Sequence, residues 1–77
     1  MDNEILKIDE TIRFKAKKGF TVHEFHRLGK EEEFLSETVE YFKYDTRKKA
    51  KGKSSWILLK DLQGWIDMLN GMDYEQF

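Results

Sequence analysis

The sequence predicts an α+β domain, a four-stranded antiparallel meander with one C-terminal amphipathic helix packed on one face. Three observations carry this. Residues 11–17 and 20–23 alternate apolar and polar side chains with the period of a half-buried strand. Residues 38–44, TVEYFKY, are dense in the β-branched and aromatic types that suit a pleated surface. Leu62, Trp65, Ile66 and Leu69 recur at i, i+3, i+4 and i+7, one apolar face of a helix.

Each element follows from local chemistry. In TIRFKAK, Ile12, Phe14 and Ala16 alternate with Arg13, Lys15 and Lys17. Phe20-Thr21-Val22-His23 alternates again after Gly19. A three-residue loop, Lys17-Lys18-Gly19 with a left-handed glycine, pairs Ala16 with Phe20 and Phe14 with Val22. A two-residue loop would set Phe14 against His23 and mix both faces, so the hydrophobic register favours the longer loop. Alternation breaks at Glu24-Phe25-His26, the mark of a bulge or a strand end. GKEEE at 29–33 is a polar turn. Residues 34–44 fit a helix through Leu35, Val39 and Phe42. They also fit a strand, which is preferred because Thr, Val, Tyr and Phe are mediocre helix formers. Asp45 to Lys53 is a long connection whose single apolar residue is Ala50. Ser54 to Leu59 is a short apolar strand, Asp61 an N-cap, 62–70 the helix, and Asn70-Gly71 its stop. One domain spans 1–77, with 1–8 and 72–77 expected to fray.

Composition bounds the function. A chain of 77 residues buries only about 60–65% of its unfolded surface, so a second copy is an expected source of stability. With no cysteine, disulfides and thiolate metal sites are excluded. No apolar run reaches the roughly 18 residues of a membrane span. The acidic start, MDNEILKIDE, lacks a signal-peptide pattern, and a cytoplasmic location is expected. Catalytic chemistry finds no support. Ser36, Ser54 and Ser55 lack a glycine-flanked nucleophile elbow, and the glycines at 19, 29, 52, 64 and 71 form no phosphate-cradling loop. His23 and His26 are three apart, which in a strand puts them on opposite faces. No catalytic residue, metal or cofactor is therefore expected.

The charge is blocked. Residues 13–30 and 41–53 each carry +5, residues 31–40 carry −5, and each end carries −3, in a chain of net charge −1. Within 39–53, VEYFKYDTRKKAKGK, aromatic rings lead into a run of cations, a pattern suited to holding phosphates on cations and stacking bases on rings. The same residues also suit core packing and a lysine-protected sheet edge.

The order strand, basic loop ending in Lys51-Gly52-Lys53, short apolar strand and Trp-bearing helix, over residues 39–69, resembles the transcriptional positive cofactor family. The resemblance implies a small dimer with paired helices, whose four-stranded sheet and C-terminal helix bind single-stranded DNA. It implies phosphate-binding roles for Lys43, Arg47, Lys51 and Lys53.

Two functions stay open at this level. One is a non-catalytic protein for single-stranded nucleic acid, the DNA form by resemblance, acting as a homodimer. Its phosphate contacts would be Lys43, Arg47, Lys48, Lys49, Lys51 and Lys53, helped by Arg13, Lys15 and Lys17, with Tyr44 and Trp56 as stacking candidates. The other is a protein-interaction module, such as a small regulator or inhibitor encoded by a mobile element. Near-zero net charge and the acidic blocks favour the second. Whether the two basic segments share one continuous face separates them.

Overall fold

Alternating strand patterns and one amphipathic stripe assemble into two layers, a sheet and a helix. The computed structural model describes residues 6–28, 37–49 and 52–77. The strands are β1 (Thr11–Ala16), β2 (Thr21–Arg27), β3 (Thr38–Asp45), β4 (Ser55–Leu58) and β5 (Tyr74–Gln76). They form one sheet in the order β4-β3-β2-β1-β5, each neighbouring pair antiparallel. A 3-10 turn, Leu59–Asp61, leads from β4 into helix α1 (Leu62–Asn70). Expectations for 29–36, Ala50 and Lys51 lie outside the described residues.

Three expectations at the chain's ends and turns are corrected. The tail contributes to the sheet. Tyr74–Gln76 adds a fifth strand beside β1, with Phe14 opposite Gln76 and Ala16 opposite Tyr74. Leu6, placed in a fraying end, is fully buried, and its carbonyl accepts a hydrogen bond from Arg27 Nη1 at 3.0 Å. Asp61 precedes the helix but makes no side-chain cap. The 3-10 turn runs straight into α1, and the Leu62 N–H donates to the Leu59 carbonyl instead.

The β1–β2 register is also corrected. Phe14 lies opposite His23, and Lys15 opposite Val22. The connection is Lys17–Phe20, and Gly19 has φ 157°, far from the left-handed helical value near +57°. Phe25 decides the phase. β2 runs unbroken to Arg27, and Phe25 faces the helix, fully buried against Trp65 at a centroid distance of 6.2 Å. His23 shares that face and Val22 takes the other, because strand side chains alternate.

The core therefore lies between one sheet face and α1. Phe14, Phe25 and Val39 from the sheet meet Leu62 and Leu69 from the helix, and Leu6 closes one side. Trp65 and Ile66 are half-buried against this cluster. Complete burial of a leucine or phenylalanine stabilises by about 1.5–3 kcal/mol, so these six side chains are the main apolar contribution.

Among the described residues, no helix lies over the second sheet face. Arg13, Lys15, Val22, Glu24, His26, Glu40, Phe42, Tyr44, Trp56 and Leu58 point to it by register. Val22 is nonetheless 0% exposed, flanked by Lys15 on one side and Tyr44 on the other.

Candidate nucleic-acid interface

The strand directions put the two basic segments at one end of the sheet. β1 ends at Ala16, β2 begins at Thr21, and Thr21 lies opposite Asp45 at the end of β3. The β1–β2 turn, with Lys17 and Lys18, thus stands beside the start of the β3–β4 connection, with Arg47, Lys48 and Lys49. The Thr46 N–H donates to the Phe20 carbonyl at 2.8 Å, extending the β2–β3 ladder by one pair and joining the two loops. The Arg47 guanidinium lies 4.3 Å over the Phe20 ring. Lys15, Lys17, Lys18, Arg47, Lys48 and Lys49 are all exposed.

Three counter-charges are described at this end, Asp45, Asp73 and Glu75. Asp45 accepts from Arg47 Nε at 3.0 Å, from Arg47 Nη2 at 2.7 Å and from the Arg47 backbone N–H at 2.8 Å. These bonds hold the Asp45 carboxyl down at about 2. Glu75 sits opposite Lys15. Asp73 has φ 60°, and its carbonyl accepts the Lys17 N–H at 3.0 Å. At the other end of the sheet, Asp9, Glu10, Glu37 and Asp61 are exposed alongside Lys7 and Lys60. The described surface is therefore polarised along the strands, basic at one end and acidic at the other.

The expected site residues fall into distinct places. Lys15, Lys17, Lys48 and Lys49 gather at the basic end. Arg47 joins them but is committed to Asp45 and Phe20, so it stiffens the loop as well as adding charge. Tyr44 is half-buried on the open face, and its hydroxyl donates to Glu24 Oε1 at 3.2 Å. Arg13 shares that carboxylate through Nε at 3.1 Å. Lys43 points to the helix face, opposite His23. Lys53 is exposed ahead of β4 at the same end, and Lys51 lies outside the described residues. Trp56 is on the open face opposite Glu40, four residues along β3 from Tyr44, about 13 Å away at strand rise. The structure does not bring Trp56 to the cations.

Phe20 is the ring the sequence reading misplaced. The three-residue loop pairs it with Ala16 on the face of Phe14, whereas it is 49% exposed at the centre of the basic end. The alternation Phe20-Val22 is real but belongs to the open face. The large Phe25, in the opposite phase, was the signal that could have located it.

The two histidines are separated by the sheet, as their spacing requires. His23 is buried on the helix side, hydrogen-bonded through Nδ1 to the Tyr41 hydroxyl and packed edge-on to Tyr74 at 4.9 Å. Burial first, then Lys43, lowers its pKa, while burial and Tyr74 raise that of Tyr41. His26 Nδ1 pairs with Thr11 Oγ1 at 2.8 Å on the open face. Among the described residues no three His, Asp or Glu side chains gather as a metal site would need. Nor, among them, is any helix long and apolar enough to cross a membrane.

No protein-family model, curated protein or solved structure matches this chain.

Proposed function

We propose that this chain is a small, non-catalytic nucleic-acid-binding protein that takes single-stranded DNA at its basic end. One observation carries the reading: two separate basic segments stand side by side, joined through Thr46 and Phe20. Lys15, Lys17, Lys18, Lys48 and Lys49 would contact phosphates, each contact releasing counterions. A base would stack on the Arg47 guanidinium that lies over the Phe20 ring or on the exposed part of that ring, with the half-buried Tyr44 ring on the same face of the sheet. A flexible single strand suits this site better than a duplex, because stacking needs splayed bases. Net charge near zero does not oppose this, since among the described residues the cations at this end outnumber its carboxylates, Asp45, Asp73 and Glu75. The order of elements over 39–69 and its family resemblance support the same reading.

Fluorescence anisotropy with a labelled single-stranded oligonucleotide at low salt tests it. Binding is expected, with weaker affinity for a duplex of the same sequence. Replacing Lys17, Lys18, Lys48 and Lys49 together by Ala should abolish it while leaving the fold intact, because all four are exposed. Phe20→Ala should weaken it by roughly 1–3 kcal/mol, the worth of one base stack. No detectable binding would overturn the proposal and leave a protein-interaction module as the function.

A further inference from the structure

The sheet has two edges, and they differ. β5 carries Glu75 within its three residues, a charge of the kind that keeps an edge unpaired. β4 reads Ser-Trp-Ile-Leu, with no charge at all. Its hydrogen-bonding phase follows from the Leu59 N–H donating to the Glu37 carbonyl at 2.8 Å. Antiparallel bonding alternates, so Ile57 and Ser55 bond inward to β3 while Trp56 and Leu58 turn their N–H and C=O groups outward. The same two residues put large apolar side chains on the open face, 56% and 45% exposed. No described strand pairs with this outer side.

We propose that a second copy of this chain docks here, β4 against β4 in antiparallel orientation, joining two sheets into one. This goes beyond the nucleic-acid reading and does not depend on it. Residues opposite each other in a sheet share a face, which restricts the register. Placing Ile57 on the two-fold axis sets Trp56 of each copy opposite Leu58 of the other. That arrangement pairs every outward backbone group of both strands and sets each Trp56 side by side with a Leu58 on the same face. Neighbouring registers leave one of the two residues opposite a position outside the strand. Charge also fits. Lys53, two residues before β4, and Asp61, three residues after it, lie at opposite ends of the strand and are both exposed, so antiparallel joining brings the basic end of each copy towards the acidic end of the other. The polarised ends become complementary, basic beside acidic, when two chains run antiparallel. A parallel arrangement would oppose like charges.

Two measurements without nucleic acid test this. In sedimentation at micromolar concentration the protein should have twice the 9.3 kDa chain mass. A variant carrying both Trp56→Lys and Leu58→Lys should sediment as a single chain with unchanged circular dichroism. In the unaltered protein, amide exchange at Trp56 and Leu58 should be slow when concentrated and fast on dilution, with Tyr74 and Gln76 on the β5 edge fast throughout. The exchange readout holds even if the double variant does not fold. A single-chain mass across the range, a dimer that persists in a folded double variant, or protection at β5 instead of β4 would each overturn the proposal.

Discussion

His23 is the residue whose surroundings bear most directly on pH. It is buried among Phe14 across from it on β1, Tyr41 and Lys43 on β3, and Tyr74 on β5, and its pKa is depressed. The unfolded chain therefore takes up a proton there at a higher pH than the folded chain does. Stability is complete above the ordinary histidine value of about 6.5 and is lost as pH falls below it, down to the folded pKa. The urea midpoint should fall between pH 7.5 and pH 5, about the window in which histidine charges. His23→Gln, which keeps a polar partner for Tyr41 but cannot charge, should flatten that dependence. An equally steep pH dependence in the variant would show that His23 is not the titrating group. Asp45 acts lower and in the same sense. Its depressed carboxyl supports the loop above the ordinary aspartate range and lets go as pH falls towards about 2. Arg47 is thereby fixed over Phe20, which sets the shape of the basic end.

Among the elements, α1 was the most legible in the sequence. Its limits, 62–70, and its buried stripe agree with the periodicity, because four apolar residues at helical spacing admit one orientation. Leu69→Ala should cost about 2–5 kcal/mol in urea unfolding, whereas Met68→Ala, on the exposed side, should stay within about 0.5 kcal/mol. Equal costs would mean that the helix is rotated from the packing described. β3 was legible from composition. β2 was not, because its two phases are both partly apolar: Phe20 and Val22 in one, Phe25 in the other. Local alternation could not rank them, but packing against Trp65 does. β5 was illegible for a different reason. Tyr-Glu-Gln has no periodic signal, and it becomes a strand only because β1 presents an edge and Asp73 turns the chain with φ 60°. The candidate site was half legible. The cations were evident from charge alone. Their convergence with Phe20 depends on strand direction and register, which composition does not encode.

At the scale of the whole molecule, the central feature is polarity along the strands. Among the described residues the basic loops at one end carry more cations than carboxylates and the other end more carboxylates than cations, so a chain of net charge −1 presents a local cationic surface. Antiparallel joining through β4 would leave the two basic ends at opposite extremes of the joined sheet, each open to its own ligand segment. The salt dependence of binding reads this arrangement most directly. On a single strand, log affinity falls with log salt by about 0.7 per phosphate neutralised, so three to five contacts give a slope of roughly −2 to −3.5. The account predicts that slope for the unaltered protein and a clearly shallower one for Lys48→Ala with Lys49→Ala. It predicts no change for Lys7→Ala with Lys60→Ala at the acidic end. A slope that flattens equally in both pairs, or in neither, would contradict it.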